Sequence, residues 1–167
     1  MPYTIIGIDP GMKGGIAVIQ NGLANPDRPS IYAIPMLMAG KEIDAAALQS
    51  MLESVDEGGF IIAYIEKVGA MPKQGVSSTF KFGCGYGMIR GVLTGLGIPY
   101  QLVTPQAWKK EVLAGLPHDK AGAAQHCAAR WPSVNLILPR CRTIHDGMAD
   151  AVCIAEYGLK KERMNLK

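Results

Sequence analysis

Residues 60–66, FIIAYIE, form a near-continuous apolar run that ends on a single carboxylate, Glu66. A strand with one wet face alternates apolar and polar residues. A run of this kind is buried on both faces, as in a parallel sheet covered by helices. It follows a segment in which Ile43, Ala47 and Met51, and Leu48, Leu52 and Val55, recur at helical spacing from about residue 42 to 56 before Gly58 and Gly59 end it. A helix leading into such a strand predicts a right-handed parallel crossover onto an earlier strand.

The earlier strands are YTIIGI (3–8), IAVIQ (16–20) and IYAIPM (31–36). The PGMKGG turn returns the second antiparallel to the first. Asn21-Gly22 is a hairpin signal, although the polar, Pro-containing ANPDRPS predicts a longer loop. Downstream, a helix is expected from about Ser78 to Leu96, then a fifth strand from Ile98 to Val103. Thr104-Pro105 starts the helix QAWKKEVLAG, and Asp119 caps KAGAAQHCAAR, which ends at Trp131-Pro132. The last helix runs from about His145 to Leu159 on a stripe of Met148, Val152, Ala155 and Leu159. The expected architecture is one α/β domain over residues 1–167. Its five-stranded mixed sheet has three antiparallel strands, then parallel ones, with helices on both faces.

Composition narrows the class. With 49% apolar and 19% charged residues the chain is globular rather than disordered. No apolar stretch approaches the ~20 residues that span a bilayer. MPYTIIGID lacks the basic start and small-residue cleavage site of a signal peptide. A cytoplasmic location, in a bacterial cytosol or a phage-infected cell, is therefore expected, with no membrane partner. Cys84, Cys127, Cys141 and Cys153 have no zinc spacing and are expected to be reduced and mostly buried. The net charge of +3 does not by itself establish a nucleic-acid partner.

Four acids carry the chemistry. Asp9 ends the first strand before Pro10-Gly11, a pattern that turn chemistry also explains. If the first strand is central and the Glu66 strand runs parallel beside it, both acids stand at the carboxyl edge, where α/β sheets place their sites. Asp146 and Asp150, in HDGMADAVCIAEYG, lie four apart on one face of the last helix. Asp146 is favoured by the helix dipole, and Asp150 has no such support. Alone, the pair reads equally as a solvated acidic turn. Taken together, the four acids are a ligand set for hard cations, Mg²⁺ or Mn²⁺, and suit a two-metal phosphodiester site.

The sequence GIDPG, the strand ending YIE and the terminal DGMADA, in this order across nearly the whole chain, resemble the RuvC-type Holliday junction resolvases of the ribonuclease H-like superfamily. The last motif is closest to plant chloroplast and phage resolvases. Bacterial RuvC usually spaces its last two ligands three apart, whereas here they are four apart, which leaves open which of Asp146, His145 or Asp150 takes the third ligand position. The resemblance implies a homodimeric endonuclease that cuts opposed strands of four-way or other branched DNA. It implies two Mg²⁺ per site, with Mn²⁺ able to substitute, and Asp9, Glu66, Asp146 and Asp150 as catalytic metal ligands.

The stretch QGVSSTFKFGCGYG resembles the family segment that meets DNA and the partner subunit. Phe80 and Phe82 there are either core residues or wedges that stack on unpaired bases. Lys13, Lys67, Lys73, Lys81, Lys109 and Lys120 are candidate phosphate contacts, each equally readable as a surface charge. The glycines of that helix, Gly83, Gly85, Gly87 and Gly91, cost up to about 1 kcal/mol each in a helix, which close approach of another backbone would justify. Met88, Val92 and Leu93 then offer apolar area for a dimer contact. Two alternatives share the acids: a ribonuclease H-like nuclease acting on RNA–DNA hybrids or structured RNA, and a non-catalytic junction-binding protein. An actin-like ATPase or sugar kinase shares the opening motif but needs two such lobes.

Overall fold

The computed structural model describes residues 2–21, 30–56, 58–69 and 75–163. Strands β1 (Tyr3–Asp9), β2 (Gly15–Asn21) and β3 (Ser30–Pro35) form an antiparallel meander. A short ribbon of β4 (Met38–Ala39) and β5 (Glu42–Ile43) precedes α1 (Ala45–Ser54). Then follow β6 (Phe60–Glu66), α2 (Val76–Gly95), β7 (Tyr100–Val103), α3 (Pro105–Val112), α4 (Lys120–Arg130) and α5 (Asp146–Glu162). The main sheet runs β3-β2-β1-β6-β7, with β6 parallel to both β1 and β7. This is the expected mixed sheet with β1 at its centre.

Two apolar layers flank it, because strand side chains alternate between faces. Ile5, Ala17, Ile19, Ile62 and Tyr64 face α3, α4 and α5, which contribute Trp108, Cys127, Val152 and Ala155. Ile6, Ile8, Ile16, Val18, Ala63 and Ile65 face α1 and α2, which contribute Leu48, Leu52, Ile89 and Leu93. Helices therefore cover both faces. No helix among the described residues is long and apolar enough to cross a membrane.

Some local expectations change. The first helix starts at Ala45 rather than near residue 42, because the Asp44 side chain caps it by accepting from Ala47 N–H at 2.9 Å. The apolar Ile43 is used instead in the ribbon, buried against Gly85 of α2. Leu93 packs fully into the chain's own core and offers no area to a partner. Of the four cysteines only Cys127 and Cys153 are buried; Cys84 lies on the outer side of α2, and Cys141 lies in the irregular segment before α5. The loop after Asn21 and most of the segment before α2, with Lys73, lie outside the described residues.

Candidate active site

Ile8 pairs with Ile65 across the parallel strands, so the next residues on each, Asp9 and Glu66, end side by side. Alternation puts Asp9 on the face of Ile5 and Gly7, and Glu66 on the face of Ile62 and Tyr64. Both acids thus point toward the layer that holds α5. That helix lies directly on the sheet: a Cβ at Gly7 would collide with the backbone of Ala151 and Ala155, and one at Gly15 with the backbone of Gly147 and Met148. Glycine at those two positions lets the start of α5 reach the end of β1. Asp146, the first residue of α5, and Asp150, one turn on, then share a cleft with Asp9, Lys13, Lys120 and His145. Glu66 opens into the adjoining groove beside Lys67, Phe82, Thr104 and Gln106.

Electrostatics join these acids. Burial raises the Asp9 carboxyl above its usual range, against a hydrogen bond from Gly11 N–H at 3.2 Å and the charge of Lys109. Glu66 is raised by burial and by Asp9, while the Trp108 indole and Lys109 pull it down. Asp150 is pushed up to about 7, first by burial and then by the charges of Asp9 and Glu66, with a smaller push from Asp146. A carboxyl so perturbed in a cleft marks a candidate functional group.

The donor set suits a hard divalent cation, since carboxylate oxygens supply all of its candidate ligands apart from His145. Among the described residues, however, no three His, Cys, Asp or Glu side chains stand close enough together to hold one as they are placed. Like charges hold carboxylates apart, and a cation would draw them together. His145 is already engaged: its Nδ1 accepts the Met148 N–H at 3.2 Å and caps α5. In the neutral ring that leaves Nε2 as a donor rather than a ligand, which favours Asp146 over His145.

The basic candidates fall around this edge. Lys13 is exposed on the turn after β1 and lines the Asp9 cleft. The Lys109 charge reaches Asp9, Glu66 and Asp150. Lys67 is exposed beside Glu66. Lys120 lies 2.6 Å from Asp146 Oδ2 in an exposed ion pair. Lys81 is exposed on α2 next to Phe80, which is 72% exposed, and Phe82, which is half-buried. Phe80 is therefore no core residue. Met12, Ile43, Phe80 and Phe82 together line an apolar pocket just past Pro10.

The chain aligns with Thermus thermophilus RuvC at a TM-score of 0.60 and 18% identity, over 98% of this chain and 97% of that one. The fold is the ribonuclease H-like fold of RuvC. T. thermophilus RuvC in complex with a Holliday junction substrate aligns at 0.62 and 15% identity over the same shares of the two chains. The yeast mitochondrial Holliday junction resolvase Ydc2 aligns at 0.51 and 12%, covering 97% of this chain and 82% of Ydc2. No protein-family model matches the chain, and no curated protein does.

Sequence reasoning missed three contacts at this edge of the fold: the Trp108 hydrogen bond to Glu66, the His145 cap and the Lys120–Asp146 pair. Only the second had a local signal, a polar side chain directly before the first helical residue.

Proposed function

We propose that this chain is a divalent-metal-dependent endonuclease that resolves four-way DNA junctions by paired cuts, acting as a homodimer. The observation that carries the reading is that Asp9 and Glu66 end adjacent parallel strands beneath α5, whose Asp146 and Asp150 line one cleft with Asp9. It gains support from the shared fold with RuvC, one structure of which holds a Holliday junction substrate. Asp9, Glu66, Asp146 and Asp150 would hold the metal, Asp146 lying nearest the mouth, where it pairs with exposed Lys120. Two Mg²⁺, or Mn²⁺ in their place, would supply the Lewis acidity for phosphodiester hydrolysis when bound.

The chain's own groups do the rest. Lys13, Lys109 and Lys120 draw the scissile phosphate toward the acids, and Asp146 holds Lys120 at the mouth until phosphate competes for it. The exposed Lys67 and Lys81 are further candidate phosphate contacts. The exposed Phe80, which lines one pocket with Phe82, offers a ring to an unpaired base at the branch. Among the described residues, one chain offers one such set of acids. A two-fold dimer presents two equivalent clusters, matching the two opposed strands of a junction.

The test compares cleavage of a four-way junction, a linear duplex and an RNA–DNA hybrid in Mg²⁺. The junction is expected to be cut first, with symmetric nicks. Asp9→Asn, Glu66→Gln, Asp146→Asn and Asp150→Asn should each lose most cleavage and keep junction binding, because phosphate contacts carry the affinity. The losses should not add, since the ligands act as a unit. Preferred cutting of the hybrid would move the reading to a ribonuclease, and tight binding without cutting to a non-catalytic junction binder.

A further inference from the structure

We propose that Trp108 is a positioning residue for the Glu66 carboxylate, its indole N–H fixing the side chain that would hold the cation; this rests on the metal-site reading above. Trp108 is fully buried on α3, and its Nε1–H donates to Glu66 Oε1 at 2.9 Å. The placement is built rather than incidental. Thr104 caps α3 by accepting from Ala107 N–H at 3.3 Å, and Pro105 opens its first turn, which sets Trp108 one turn in, over the end of β6. An aliphatic side chain would fill the same core volume with no polar atom to satisfy. The indole instead brings a donor that needs an acceptor when buried, and the acceptor it finds is the candidate ligand.

Hydrogen bonds to a ligating carboxylate fix its rotamer and basicity, and their loss typically lowers metal affinity about 10–100-fold. The neighbouring residue adds to this. Lys109 Nζ lies 5.2 Å from the Trp108 ring centroid, and its charge reaches the same acids. Helix α3 therefore delivers a neutral donor and a cation to one carboxylate group.

The protein's other tryptophan is an internal control. Trp131 Nε1–H donates to Glu156 Oε2 at 2.8 Å, in a separate buried contact that includes His126. In a Mg²⁺ titration of the full chain followed by its two indole ¹H–¹⁵N signals, the Trp108 signal is expected to move and the Trp131 signal to stay. Trp108→Phe keeps an aromatic ring and lacks the donor. It should need about 10–100-fold more Mg²⁺ for half-maximal junction cleavage. Saturating Mg²⁺ should restore that cleavage, and junction affinity in EDTA should be unchanged. A merely space-filling Trp108 predicts neither the shifted requirement nor its rescue.

If the wild type cleaves junctions with Mg²⁺ while the Trp108 signal moves no more than that of Trp131, this inference is overturned and the nuclease reading stands. A Trp108 signal that responds to Mg²⁺ in a protein that cuts no junction supports the carboxylate–indole site and overturns the nuclease reading.

Discussion

Asp150 sits in the second turn of α5 without a basic partner on its own helix, and Asp9, Glu66 and Asp146 all bear on it. Its carboxyl is raised to about 7, from about 3.9 in an unfolded chain. The folded state therefore holds this proton more tightly. The contribution to stability is complete below pH ~4 and is lost as pH rises through ~7. In EDTA, the wild type should become less stable across that window. Asp150→Asn should flatten the dependence and be more stable at pH 8 by on the order of 1–3 kcal/mol, discounted for partial solvent screening. The same variant should be inactive. Thermal melts from pH 4 to 8 read this directly, and parallel curves for the two proteins would show that Asp150 is not under the strain inferred from its neighbours.

Helix α5 has two tasks: its first turns carry the acids, and its middle anchors it. The anchor is Glu156, buried, which accepts from His126 of α4 and Trp131 at 2.8 Å each and has Lys160 Nζ at 3.4 Å. Burial alone would raise this carboxyl, but these partners win and hold it at about 2. The folded value lies below the unfolded one, so the stability it confers is present above pH ~4.3 and lost as pH falls toward 2. Glu156→Gln should cost about 3 kcal/mol near neutral pH by breaking a buried charged contact. It should also weaken the acid sensitivity of unfolding. Urea unfolding at pH 7 and pH 3 measures both. Equal losses at the two values would mean that the charge is not what clasps α4 to α5.

For the molecule as a whole, the surface that bears on assembly is a stripe of glycines along α2. Gly83, Gly87, Gly91 and Gly95 recur every fourth residue, and a Cβ at any of them would meet nothing within 4 Å. Among the described residues the chain's own packing gives no reason for these four glycines, whereas Gly85 meets Ile43. A second copy approaching along this stripe would supply one. Gly87→Ala and Gly91→Ala should each stabilise an isolated monomer by up to about 1 kcal/mol while raising the dimer dissociation constant. Sedimentation equilibrium with and without junction tests this. Variants that are more stable and equally dimeric would move the interface off α2, and a wild type that stays monomeric in both conditions removes the paired-cut mechanism.

Local physics made much of this protein legible in its sequence. Two-residue alternation set which strand residues share a face, and the unbroken apolar run of 60–66 required a strand buried on both sides. Thr104 and Asp119 act as helix caps, each bonding a backbone N–H three residues on. Those signals located the strand ends where Asp9 and Glu66 stand. Other features arise only when distant elements dock. Trp108 meets Glu66 across 42 residues, and Lys120 meets Asp146 across 26. Both contacts depend on how α3 and α4 lie against the sheet, which is set by the fit of side-chain volumes in the shared core. The same docking buries Asp150 among like charges. A helical period can place that carboxylate on a face, but only the packed molecule surrounds it with other acids and changes its chemistry.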